Sequence, residues 1–204
     1  MDNAIDVIES GMTRIEIYQD DDPYNPRESD NLGTMVCFHN RYDLGDENHG
    51  FSSPEDLIEY IKDNQPVLLT IWAYEHGGIT LKSSIYHSNP FVDPWDSGQV
   101  GVIFVTDEQI RKEYGWKYVT AKRVKQIREY LKNEVETYDD YLTGAVYGYK
   151  VFCNQCEEEL DSCWGFYGYD HRKSGLLESA QGHTCDTCKV IAERLDSILE
   201  ASNV

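Results

Sequence analysis

The sequence predicts an α+β fold with a mainly antiparallel sheet, a long amphipathic helix and a cysteine-clipped hairpin-plus-helix at its C-terminal end. Three observations carry that prediction. Strand-like and helix-like runs alternate without the regular βαβ rhythm of a parallel sheet. Within Thr120–Leu142, Val124, Ile127, Leu131, Val135, Tyr138 and Leu142 recur at spacings of three and four, the stripe of a helix with one buried face. Near the end of the 204-residue chain, Cys153-Asn-Gln-Cys156 is echoed by Cys185-Asp-Thr-Cys188.

The elements follow in order. Residues 1–12 read as a frayed or weakly helical leader. Thr13–Tyr18 alternates Arg14 and Glu16 against Ile15 and Ile17, as a half-buried strand does. Asp20-Asp-Asp-Pro-Tyr-Asn-Pro-Arg27 is an acidic loop whose two prolines oppose regular structure. A short buried strand, Thr34–His39, and a polar loop, 40–52, lead to a helix through Asn64, with Ser53 as N-cap, Pro54 in the first turn and Glu55 and Asp56 at the positive end of the dipole. Pro66–Tyr74 is the most apolar run and predicts a central strand, turned by Gly77-Gly78 into Ile79–Ile85. An aromatic- and proline-rich loop, 86–98, precedes a strand over Val100–Thr106. Thr106 and Gln109 then form a capping box for a short helix to Tyr114. After the long helix come strand-like runs Ala145–Phe152 and Leu160–Tyr167, a short helix near Gly175–Ala180 and a helix-like run, Lys189–Ala201. The organisation expected is an α+β core over 1–144 with a C-terminal subdomain over 145–204 packed on it, the two merging into one continuous domain if the boundary is soft.

Two Cys-x-x-Cys knuckles separated by 28 residues are the ligand pattern of a four-thiolate zinc site, because each knuckle sets two sulfurs on one side of a tight turn. Four thiolates leave no open coordination position, so Cys153, Cys156, Cys185 and Cys188 predict structural rather than catalytic zinc. His183 and Cys163 are spare donors that could replace one of them. Six cysteines in this arrangement fit reduced thiols in a cytoplasm. The acidic first residues carry neither the basic nor the apolar region of a secretory signal, and no apolar run approaches the length of a membrane span.

The formal net charge is −19. Such a surplus disfavours direct nucleic-acid binding and anionic membranes, and it favours a basic partner protein. Charge is also unevenly spread. Residues 1–63 hold 16 Asp and Glu against Arg14, Arg27, Arg41 and Lys62, whereas eight of the 18 basic residues fall within 111–132. The basic run is expected to pair with the chain's own acidic segments or with an acidic partner. Asp20, Asp21, Asp22, Asp30, Asp43, Asp46 and Glu47 form the candidate partner face, where fixed carboxylates could imitate a row of phosphates. Their spacing does not match the twelve-residue calcium loop.

Catalytic readings are weaker in the residues themselves. Asp30, His39 and Asp96 lie in polar loops or near strand ends, and with His76, His87 or Glu75 they could form a metal-dependent hydrolase or nuclease-like site. No spacing ties them together. Cys37 with His39 two residues on could be a nucleophile and its base, although a lone cysteine in an apolar strand is usually a small core residue.

Four segments, Asp30-Asn-Leu-Gly-Thr-Met-Val-Cys-Phe-His39, Trp95-Asp-Ser-Gly-Gln-Val-Gly101, Glu136-Thr-Tyr-Asp-Asp-Tyr-Leu-Thr-Gly144 and Asp161-Ser-Cys-Trp-Gly-Phe-Tyr-Gly168, together resemble an uncharacterised family of small acidic proteins from phages and mobile elements. The resemblance spans roughly 13–180. It implies a phage-type interaction protein in the host cytoplasm and carries no catalytic residue. Joined to the charge, it leads to the expectation of an inhibitor of a host nucleic-acid-handling or defence system of restriction or CRISPR type, acting by mimicry of nucleic acid. The alternatives are the hydrolase around Asp30, His39 and Asp96, and a zinc-stabilised nucleic-acid adaptor using the basic helix.

Overall fold

The computed structural model describes residues 3–191 and residue 194. Its elements are β1 (Asp6–Ser10), β2 (Thr13–Gln19), one 3-10 turn (Pro26–Glu28), β3 (Thr34–Cys37), α1 (Pro54–Asn64), β4 (Val67–Glu75), β5 (Ile79–Ser84), β6 (Ser97–Val105), α2 (Asp107–Tyr114), α3 (Ala121–Leu142), β7 (Val146–Cys153), β8 (Glu159–Tyr167) and α4 (Leu176–Ser179). The fold is α+β with antiparallel pairing throughout. The strands form two four-stranded sheets, ordered β1-β2-β7-β8 and β3-β6-β4-β5.

The chain divides into two compact units, Met1–Tyr24 with Gly144–Val204, and Asn25–Thr143. The first 24 residues belong with the C-terminal segment rather than with the 25–143 unit. The physical reason is pairing: β2 lies against β7 along its whole length, from Thr13↔Cys153 to Gln19↔Tyr147. Residues 6–10, expected as a frayed leader, are a strand, since β1 adds to β2 from Asp6↔Ile17 to Ser10↔Thr13.

In the 25–143 unit the second sheet is covered on both faces. The stripe of α3, with Ile127, Leu131, Val135 and Tyr138 buried, packs with Leu69, Ile71, Ala73, Leu81 and Ile103. Leu57 of α1 packs with Val36, Val102 and Phe104 of the sheet in a separate cluster with Phe51 and Tyr60. Helix starts match the capping signals: Ser53 Oγ accepts from Asp56 N at 3.2 Å, and Thr106 and Gln109 form the full reciprocal box. A buried ionic node ties α3 to the preceding loops. Arg27 donates from Nε to Asp46 at 2.8 Å, from Nη1 to Glu134 at 3.0 Å and from Nη2 to the Gly33 carbonyl at 2.7 Å. Glu134 also accepts the Leu32 amide at 2.9 Å. Gly33 admits no side chain here, since a Cβ would lie 2.5 Å from Leu131 Cδ2.

The other unit has its own core. Ile15, Ile17, Tyr147, Tyr149 and Val151 on one face of the first sheet pack with Leu176 and Ala180 around α4. Residues 186–191 are helical, and the remainder of the expected Lys189–Ala201 helix, apart from helical residue 194, lies outside the described residues. No described helix is long and apolar enough to cross a membrane.

Candidate metal centre and acidic groove

Cys153 is the last residue of β7, and the chain turns through 154–156 before β8 begins at Glu159. The turn is closed by Glu157 N to Cys153 O and Cys153 N to Glu158 O, both 2.9 Å. It is anchored to the β1–β2 turn, where Asn154 N donates to Met12 O at 2.9 Å and Asn154 Nδ2 to Glu9 at 2.8 Å. The second knuckle opens the helical residues 186–191, with Lys189 N on Cys185 O at 3.0 Å and Cys188 N on Cys185 Sγ at 3.4 Å. The four sulfurs of Cys153, Cys156, Cys185 and Cys188 all lie within 4.8 Å of one another.

Two of those separations, Cys153–Cys188 and Cys156–Cys185, are 3.6 Å. A disulfide needs about 2.0 Å, while a tetrahedron with metal–sulfur bonds of about 2.3 Å has edges of about 3.8 Å. The cluster therefore has the spacing of a tetrathiolate metal site, and all six cysteines are free. Its electrostatics fit metal as well. Backbone N–H groups of Cys156 and Gln155 point at the Cys153 sulfur and bring its pKa down to about 7. Hydrogen bonding to Cys156, together with burial, holds the Cys188 thiol well above its ordinary value. Such a cluster shares protons that a divalent cation would displace.

Neither spare donor joins the four. His183 Nε2 lies 3.3 Å from both the Ser179 carbonyl and Asp161, and Cys163 is exposed on β8 with its thiol toward Trp164 O. Among the described residues no other group of three or more His, Cys, Asp or Glu side chains has metal-ligand spacing.

The seven candidate partner-face carboxylates fall into two groups. Asp20, Asp21 and Asp22 follow β2 in the terminal unit and line an open groove with Tyr18, Gln19, Lys150 and Trp164. Asp20 Oδ1 accepts the Asp22 amide at 3.2 Å, and none of the three forms an ion pair with a described residue. In the 25–143 unit, Asp30, Asp43 and Glu47 are exposed and Asp30 lines a groove with Lys112 and Tyr130. Asp46 is a correction to the predicted face: one oxygen is taken by Arg27 and the other accepts the Met35 amide at 2.9 Å.

The catalytic candidates are occupied or apart. His39 Nε2 sits 3.0 Å from Glu75, and its Nδ1 accepts the amides of Arg41 and Tyr42, each at 3.2 Å. Both ring nitrogens are thus committed to holding the loop. Glu75 also pairs with Arg41, and the His39 hydrogen bond with this cation lowers its pKa. Asp96 lies 3.3 Å from His76, while Asp30 lines a different groove. Burial pushes the Cys37 thiol up to about 12, which removes the thiolate a nucleophile requires.

Part of the basic run pairs with acids of the chain itself. Arg111 pairs with Asp107 in α2 and Lys132 with Glu136 in α3, and Arg123 caps the Tyr118 carbonyl and lies over Trp116 at 4.4 Å. Sequence reasoning missed Arg27, Glu134, Tyr18 and Trp164. An acid at 134 beside an apolar stripe, and a single arginine among acids, were the available signals for the first two. Comparison with family models, with curated proteins and with solved structures returns no match for this chain.

Proposed function

We propose that this protein is a zinc-clipped acidic interaction protein that binds a positively charged macromolecule through the Asp20–Asp22 loop. Its role is inhibition of a host nucleic-acid-handling or defence system, in the host cytoplasm and in the phage-type setting that the sequence resemblance implies. The observation that carries the reading is electrostatic. Three consecutive carboxylates line a groove, none of them in an ion pair with a described residue and the one lysine of its lining, Lys150, paired with Glu159, on a chain of net charge −19. An uncompensated array on a fixed loop attracts a basic surface over a Debye length and needs little reorganisation on contact. The metal is zinc and its role structural, supported by four thiolates that fill a tetrahedron and leave no position for substrate. The hydrolase alternative has less support, since both ring nitrogens of His39 are engaged in hydrogen bonds that hold the loop.

Affinity capture from a bacterial host lysate at two salt concentrations tests the reading, with D20N/D21N/D22N run beside the native protein. A basic host protein retained at low salt, weakened at high salt and lost with the triple variant is the expected result. Identical capture by both proteins would overturn the assignment of this loop.

A further inference from the structure

We propose that the groove beside the acidic loop is a receptor for an arginine side chain presented by a basic peptide segment of the partner, with the Trp164 indole as its platform. The inference rests on the reading of Asp20–Asp22 given above and deepens it by naming the group recognised.

The outer face of the first sheet holds a filled example of such a site. Arg14 on β2 pairs directly with Phe152 on β7, and its guanidinium lies over the Phe152 ring at 4.7 Å. Two carboxylates hold it there, Glu16 at 2.8 Å and Glu157 at 2.7 Å. Ring, cation and flanking acids make a complete cation–π receptor, occupied by the chain's own arginine.

Farther along the same face the arrangement recurs without its cation. Tyr18 stands four residues from Arg14 on the same side of β2, and its partner on β7 is Gly148. The glycine leaves room for the Trp164 ring to lie across the sheet, since a Cβ at 148 would fall 2.2 Å from Trp164 Cε3. Tyr18 and Trp164 meet with centroids 6.1 Å apart at 43°, and Trp164 remains 45 % exposed. Asp20, Asp21 and Asp22 supply the carboxylates along the same groove. Lys150, which also lines it, is paired with Glu159 at 3.4 Å, and no described cation lies over Trp164. An exposed indole bordered by unpaired carboxylates selects a guanidinium over an ammonium, because the planar guanidinium stacks on the ring while its edge donates to the acids.

The test uses the full zinc-loaded chain and two synthetic peptides, hexa-arginine and hexa-lysine, followed by indole N–H resonances and by anisotropy of the labelled peptides at low salt. The arginine peptide is expected to bind about threefold to thirtyfold more tightly than the lysine peptide, with the Trp164 indole shifting most. Trp164→Leu should erase that preference, and D20N/D21N/D22N should weaken both peptides. Should the triple variant weaken both while the two peptides bind equally and Trp164 stays unshifted, the acidic loop keeps its role and the arginine receptor is overturned. Absence of binding by either peptide also overturns the receptor, leaving lysate capture to judge the loop by itself. The wild-type indole shift needs no variant, so a poorly folding Trp164→Leu does not block the decision.

Discussion

Arg27 shows how one side chain joins distant segments. Its side chain is 2 % exposed, and the three guanidinium nitrogens reach Asp46, Glu134 and the Gly33 carbonyl, so the 3-10 turn, the loop before β3, the 44–46 loop and α3 meet at one point. Burial raises the pKa of Glu134, and the Arg27 charge opposes that rise. Truncating the cation would leave a carboxylate uncompensated among apolar neighbours, a loss of about 3–5 kcal/mol. Arg27→Met is therefore expected to lower the urea midpoint strongly, with Glu134→Gln in the same chain restoring part of the loss. An unfolding free energy within about 0.5 kcal/mol of wild type would show the node to be dispensable. In the sequence this node was half legible. Glu134 lies three residues after Leu131 and four before Tyr138, on the buried side of the stripe, and a buried acid demands a partner. Nothing local identified that partner as Arg27, because the two are 107 residues apart and only the packed sheet and helix bring them together.

At the scale of elements, local chemistry was read well where the signal is local. The caps of α1 and α2, the stripe of α3 and the paired knuckles each depend on residues a few positions apart, and each appears with the expected partners. Strand β1 was missed because an edge strand with mostly exposed side chains has no apolar alternation to betray it. Strand β6 begins at Ser97 rather than Val100, since its first residues pair with β4 beyond an irregularity at Ile71/Trp72. The clip makes a prediction of its own. It joins the β7–β8 turn to the helical residues after Cys185, and the two units have separate cores. Chelating the metal should then speed hydrogen exchange at the amides of Cys153, Glu157, Cys188 and Lys189 and leave those of β4 and β6 protected. Equal loosening of β4 and β6 would show that the clip supports the whole molecule. Cobalt substitution should give the thiolate charge-transfer absorption of a tetrahedral sulfur site, absent in Cys185→Ala.

For the molecule as a whole, the topology and the charge both act over long range. The first sheet closes only when β2 meets β7, across an intervening unit of more than a hundred residues, so no local pattern signals the return of the N-terminal strands to the C-terminal segment. Net charge, by contrast, was fully legible, and its consequence depends on whether the acids are neutralised internally. Several are: Asp46 and Glu134 by Arg27, Glu16 and Glu157 by Arg14, Glu75 by Arg41. With 37 acids against 18 bases, however, the surplus cannot be paired away, and its remainder includes the 20–22 loop. Self-repulsion of that remainder opposes compactness and is relieved as the Debye length falls to about 8 Å near 0.15 M salt. Thermal stability should accordingly rise by roughly 2–4 °C between very low salt and that concentration, a gain on the order of 1 kcal/mol at this chain length. D20N/D21N/D22N should flatten the dependence, because it removes repulsion where three like charges are adjacent. A melting temperature indifferent to salt would mean that the acids are balanced within the fold, and the electrostatic basis for a basic partner would fall with it.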